Sequence, residues 1–239
     1  MFKNFLKAFK RIQGIDRRWL IIWVLIYFSF LFLDLALPHF FGATLVKYLG
    51  IFLCLVYAYQ KFRFDTLLII ALLFTLLADT ILIWTPYYVP GVYCFCFAQF
   101  FHIARFIKAQ PKLLVIFFFG MFLIFAFGLV QGLPPIYSIA AIYAITLITN
   151  LVLSFIWVRR EPRNLHARYA SSGFLLFLAC DTCVALQFLA VETVLPAYIL
   201  PVVSFLVWFF YYPSQVLISN SSNLSPKKPL ERTVPSNKS

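Results

Sequence analysis

Uninterrupted apolar runs of roughly twenty residues recur along this chain, and that is the length a helix needs to cross the hydrocarbon core of a bilayer. Eight can be marked: Trp19–Leu37, Gly42–Tyr59, Thr66–Trp84, Val89–Ile107, Leu113–Val130, Pro135–Trp157, Tyr169–Ala190 and Leu195–Ile218. In lipid the backbone must satisfy its own hydrogen bonds, so each run is expected as a helix. The connections are short, which predicts antiparallel packing of neighbours. Pro38-His39-Phe40-Phe41 and Gln131-Gly132-Leu133-Pro134 are the thinnest separators. The fold class is therefore an all-α, polytopic integral membrane bundle of eight transmembrane helices. No small-residue cleavage site precedes the first run, which is expected to remain as a span.

Composition agrees: the chain is 63% hydrophobic, with 30 Phe and only 12% charged residues. A soluble domain carries about a quarter of its residues charged. Most of this surface must face something other than water, which excludes a soluble core.

The basic residues orient the bundle. Of the 20 Lys and Arg, 19 fall on one side of the eight-span arrangement. Six precede the first span, Lys61 and Arg63 follow the second, and Arg105, Lys108 and Lys112 surround the turn after the fourth. Arg159, Arg160, Arg163 and Arg168 follow the sixth, and four more lie in the C-terminal segment. The exception, Lys47, lies inside the second span. The positive-inside rule then places both termini in the cytoplasm, as expected of a multi-pass protein of the cell membrane. The net charge of +12 is accounted for by topology, and no nucleic-acid partner is implied. Residues 1–18 read as a basic amphipathic segment, with Phe2, Phe5, Leu6, Phe9 and Ile12 on one face suited to anionic lipid. Residues 19–218 form the membrane domain. From 219 to 239 Ser, Pro, Asn and Lys dominate, and a disordered cytoplasmic tail is expected.

The five cysteines all fall within spans. Cys180 and Cys183 have CxxC spacing, but no histidine cluster accompanies them, so no metal is expected and they read as small buried hydrophobes. The informative residues are Asp34, Lys47, Asp79, His102 and Asp181, ionisable groups inside apolar spans. A charge at the bilayer centre costs roughly 3 kcal/mol, so such groups face the bundle interior, find partners and mark function unless they only fix helix register. Counting the rise per residue puts Asp79 about 6 Å, Lys47 about 5 Å and Asp181 within about 2 Å of the midplane, in one layer of the outer half. Asp34 falls further out, and His102 lies about 6 Å to the cytoplasmic side, near the depth of Asn150. Lys47 is expected to neutralise one of the two aspartates. Two carboxylates sharing a low-dielectric site cannot both stay ionised, so the pair can hold a proton for acid catalysis at neutral pH.

A faint internal echo joins the two halves. Leu72-Leu73-Phe74 leads to Ala78-Asp79-Thr80, and Leu175-Leu176-Phe177 leads to Cys180-Asp181-Thr182. Duplication of four helices would relate spans three and seven by an axis along the membrane normal, as in some transporters.

Ala71 to Asp79, followed by Gly91, Phe97 and His102, resembles the first signature of the YhhN-like lysoplasmalogenase family. Gly173-Phe174-Leu175-Leu176-Phe177 with Asp181 is similar to the second. Lys47, Tyr143, Tyr211-Tyr212 and Gln215 also match family positions. The chain departs at Ala78, where glycine is common, at Cys180, where serine is, at Arg105 in place of tyrosine and at Tyr48 in place of proline. The resemblance implies hydrolysis of the vinyl ether bond of lysoplasmalogens to a fatty aldehyde and glycerophosphoethanolamine or glycerophosphocholine, without a cofactor. The partners implied are a lysophospholipid substrate and membrane lipid. Asp79 and Asp181 would be the acid and stabilising pair, with Lys47 tuning their protonation and His102 orienting water or binding the phosphate. Tyr143, Tyr211 and Gln215 would support them. No G-x-S-x-G elbow favours a serine nucleophile. A proton-coupled transporter or a non-enzymatic lipid-binding protein is the alternative, since buried Asp, Lys and His also serve as relays. Discontinuous helices would favour that alternative, and Pro201 is the one internal interruption the spans show.

Overall fold

The computed structural model describes residues 16–37, 40–107, 110–191, 196 and 199–222. The amphipathic segment before Asp16 and the polar segment beyond Ser222 lie outside the described residues. All the regular structure described is helical: α1 Arg17–Ala36, α2 Phe41–Phe62, α3 Thr66–Trp84, α4 Tyr88–Phe106, α5 Pro111–Val130, α6 Pro135–Arg160, α7 Leu165–Val191 and α8 Ile199–Ser219. Seven of these are long and apolar enough to cross a membrane, so the protein is a multi-pass membrane helix bundle. The remaining helix, α4, is 19 residues long like α3, but it buries Gln99, His102 and Arg105.

Helix boundaries follow local chemistry that hydropathy does not register. Asn164 caps α7, its Oδ1 accepting from the backbone N–H of His166 at 2.9 Å and of Ala167 at 3.4 Å. The helix therefore starts four residues before the apolar run at Tyr169, and its first turn carries His166 and Arg168. Gly132, at φ +66°, ends α5. Its N–H bonds Leu129 O and that of Leu133 bonds Gly128 O, both at 3.0 Å, which satisfies the last carbonyls of α5. Pro135 then opens α6, so four residues suffice to separate two spans.

The proline expectation for the last span is corrected. Pro201 sits in the first turn of α8, where no helical N–H is required. The interrupting residue is Pro213, inside the helix. Lacking an N–H, it leaves the carbonyl of Phe209, four residues back, without its helical donor. Tyr27 of α1 supplies one: its hydroxyl donates to Phe209 O at 3.1 Å.

Six helices close a ring in the order α2, α3, α4, α6, α7, α8, with α8 returning to α2. Two helices lie outside it: α1 packs on α2 and α8, and α5 packs on α6. These two bury little, Trp23 and Phe30 on α1, Met121 and Gly128 on α5, and they expose Phe28, Phe32, Phe118, Phe119, Phe122 and Phe127 as a lipid-facing coat. The contacts repeat when helix numbers shift by four: α1 on α2 matches α5 on α6, α2 on α3 matches α6 on α7, and α3 on α4 matches α7 on α8. The seams α4 on α6 and α8 on α2 match as well. The weak echo in sequence thus has a topological counterpart. Gly173 marks a close approach of two backbones, since a Cβ there would stand 3.1 Å from Ile218 N and 3.2 Å from Ser214 O, letting α7 and α8 touch backbone to backbone.

Helix ends bearing Arg17, Lys61, Arg63, Arg105, Lys112, Arg160 and Arg168 define a basic end of the bundle. Composition assigns Ser219–Ser222 to a polar tail, yet they are buried there. Tyr57 donates to Asn220 Oδ1 at 2.7 Å, Arg105 to Ser221 Oγ at 3.0 Å, and Ser222 to Asp65 Oδ2 at 3.0 Å. Polar partners from α2, from α4 and from the residue that caps α3 make burial of these short polar side chains favourable, which composition alone does not reveal.

Candidate active site

Asp79 on α3 and Asp181 on α7 stand toward the end of the bundle opposite the basic one, and each meets a tyrosine. Tyr211 of α8 donates to Asp79 Oδ2 at 2.6 Å, and Tyr143 of α6 donates to Asp181 Oδ2 at 2.6 Å. Bonds this short to a carboxylate are among the stronger hydrogen bonds and hold its rotamer. Asp79 is buried, whereas Asp181 is partly exposed.

Phe95 of α4 ties the two pairs together. Its ring centroid lies 6.0 Å from that of Tyr143 and 6.4 Å from that of Tyr211, and Phe177 of α7 adds a ring 5.6 Å from Tyr211. Tyr211 and Tyr143 are within electrostatic reach of each other, as is Cys180 of both aspartates. Tyr88, at the exposed start of α4, is within reach of Asp181. Two carboxylates, two phenols and an aromatic wall therefore face one interior, with Phe177 on its basic-end side and Tyr88 toward the other.

Of the residues singled out in sequence, Asp79, Asp181, Tyr143 and Tyr211 come together. Gln215 is buried on the face of α8 that carries Tyr211, one turn nearer the basic end. His102 is buried in the same interior, edge-on to Phe174 with centroids 5.2 Å apart, and does not touch the aspartates.

Lys47 lies elsewhere. Its Nζ is 2.7 Å from Asp34 Oδ2, with side chains 12% and 21% exposed, and it faces the Trp208 ring at 5.1 Å. The expected neutralisation of Asp79 or Asp181 by Lys47 is replaced by an α1–α2 ion pair. Depth along the membrane axis put Lys47 in the right layer, but its side chain points outward to α1 and not into the ring.

Sequence reasoning about charged residues passed over Phe95 and Gln99, and took Asn150 only as a marker of depth. Both amides are fully buried, and Asn150 Nδ2 donates to Gln99 Oε1 at 2.7 Å and to Gln99 O at 3.0 Å. Neutral amides within apolar spans were the available signal.

Comparison with known proteins adds one match: the family model of the YhhN family covers residues 42–222. No curated protein and no solved structure matches the chain.

Proposed function

The chain belongs to the YhhN family, and from that premise we propose that it is a membrane-embedded lysoplasmalogenase, with Asp79 and Asp181 as its acid–base pair. The observation that carries the reading is the two tyrosine-held carboxylates facing one aromatic interior.

Vinyl ether hydrolysis needs little more than this. One carboxyl group protonates the alkene carbon distal to the ether oxygen, and the π electrons form the new C–H bond. The resulting oxocarbenium ion is stabilised by the opposing carboxylate, as in glycoside cleavage. Water adds to the cationic carbon and returns a proton to the acid. The hemiacetal collapses to fatty aldehyde and the glycerophospho-alcohol, so the balance is one water consumed and no redox change. Tyr143 and Tyr211 fix each carboxylate at one oxygen and leave the other for chemistry. The aromatic wall of Phe95 and Phe177 suits an alkenyl chain and a developing cation. A single-chain lysophospholipid reaches the partly exposed Asp181 from the membrane.

The topology proposed with this function is eight spans with both termini cytoplasmic, because all basic residues but Lys47 then lie on one side. The ring closed by α4 supports counting that helix as a span, since its polar side chains turn inward.

A proton-coupled transporter is the second reading, favoured by the topological two-fold. One experiment separates them: purified protein in detergent, given lysoplasmalogen with no gradient present, is expected to release free aldehyde. No aldehyde from well-folded protein would remove the hydrolase reading.

A further inference from the structure

Below the aspartate level, toward the basic end, the ring interior carries a line of buried side chains with polar atoms that find no partner among the described residues: Gln99 Nε2, Asn150 Oδ1, His102 Nδ1 and Gln215 Nε2. All four residues are at least 98% buried. Helical spacing places them on the faces that build the active site. Gln99 and His102 follow Phe95 at i+4 and i+7, Asn150 follows Tyr143 at i+7, and Gln215 follows Tyr211 at i+4. They therefore stand one to two turns, about 6–10 Å, below the tyrosine level.

The amide orientations are determined. Asn150 must present its NH₂ to the backbone carbonyl of Gln99, which has no other orientation to offer. The same NH₂ then takes Gln99 Oε1, so Gln99 Nε2 and Asn150 Oδ1 are left as donor and acceptor with no flip that pairs them better. A buried polar group without a partner is destabilising, and four in one interior is a cost that protein atoms do not offset. Such sites are where buried water resides, held by two to four polar groups.

We propose that these four residues hold a file of water molecules inside the ring, and that this file supplies the water consumed at Asp79 and Asp181. The water-binding assignment rests on geometry alone, and its use rests on the hydrolase reading. The file explains how a site lined by Phe95, Phe177 and alkenyl chain receives a nucleophile: lipid arrives from the membrane and water from the basic end. Tail residues Ser221 and Ser222, bonded to Arg105 and Asp65, sit at the foot of this line and keep it polar to its end.

The test is hydroxyl-radical footprinting of the full chain in detergent by brief X-ray exposure, which oxidises side chains next to bound water even when they are buried. Phe174, fully buried against His102, is the reporter. Ile139, buried with Val92 and Cys96 in the apolar seam of α4 and α6, is the dry control, each residue scored against its own intrinsic reactivity. Scored in this way, oxidation of Phe174 several-fold above Ile139 is expected, with oxygen from added H₂¹⁸O appearing in the oxidised Phe174. Equal, low oxidation of both would overturn the water file even if aldehyde release is found. Strong Phe174 oxidation in a protein that releases no aldehyde would keep the file and remove the hydrolase. In Asn150→Leu, Phe174 oxidation is expected to fall toward the Ile139 level; unchanged oxidation in a folded variant would also overturn the assignment.

Discussion

Lys47 gives the sharpest test of side-chain geometry. Its ammonium stands 2.7 Å from Asp34, and both side chains are mostly but not wholly removed from solvent. At an effective dielectric near 20, a pair at that distance attracts by about 6 kcal/mol before desolvation is subtracted. Breaking a fully buried pair costs roughly 3–5 kcal/mol; the partial exposure of this one reduces the expected single-variant loss to about 2 kcal/mol. Lys47→Met leaves Asp34 as an orphaned carboxylate between α1 and α2, and Asp34→Asn leaves the ammonium over Trp208. The double variant discards both charges, so it is expected to recover about 1–2 kcal/mol of the summed losses. For a chain of this length that amounts to several degrees, on the scale of about 2–4 °C per kcal/mol. The assay is a cycle of melting temperatures in detergent over wild type, both single variants and the double. A parallel cycle pairing Lys47→Met with Asp79→Asn should be additive, because no contact joins them. Additivity with Asp34, or coupling with Asp79, would refute the placement of Lys47.

Three further outcomes are expected. Asp79→Asn and Asp181→Asn keep side-chain size, so each should express and fold while aldehyde release falls about 10²–10⁴-fold; near-wild-type turnover in both would reject the acid–base assignment. Tyr27→Phe removes the donor to Phe209 O and should lower stability by about 1 kcal/mol, read as a fall in melting temperature; no change would mean the carbonyl freed by Pro213 is satisfied in another way. Reporter fusions after Lys112 and Arg168 should both report cytoplasm and one after Gln131 the exterior; a cytoplasmic signal after Gln131 would contradict eight spans.

What could be read from sequence divides along a physical line. Helix positions were legible because a membrane span is a one-dimensional signal, and α3 coincides residue for residue with the apolar run Thr66–Trp84. The start of α7 was not, because Asn164 acts through a cap and hydropathy sees only its polarity. Asp79 and Asp181 stood out as charges in lipid, and the family pattern pointed to Tyr143 and Tyr211. Which phenol serves which carboxylate depends on ring closure, a property of three dimensions. The same limit misdirected Lys47: depth follows from counting residues, whereas the direction of a side chain around its helix axis depends on neighbours such as Asp34 and Trp208.

The shift-by-four repeat carries an evolutionary consequence. An even number of helices per repeat leaves both copies with the same orientation in the membrane, so an ancestral four-helix chain pairing with itself would bring one aspartate from each protomer to a shared centre. That ancestor faces a chemical problem, because symmetry gives both carboxylates the same surroundings, while an acid and an anion must differ. Fusion into one chain lifts the constraint. In the present protein the two surroundings differ: Asp181 takes its tyrosine from the adjacent helix α6, and Asp79 takes one from α8, across the ring. One carboxylate is sealed and the other partly open. The repeat offers two equivalent positions, and the different tyrosines they meet make the two carboxylates unequal.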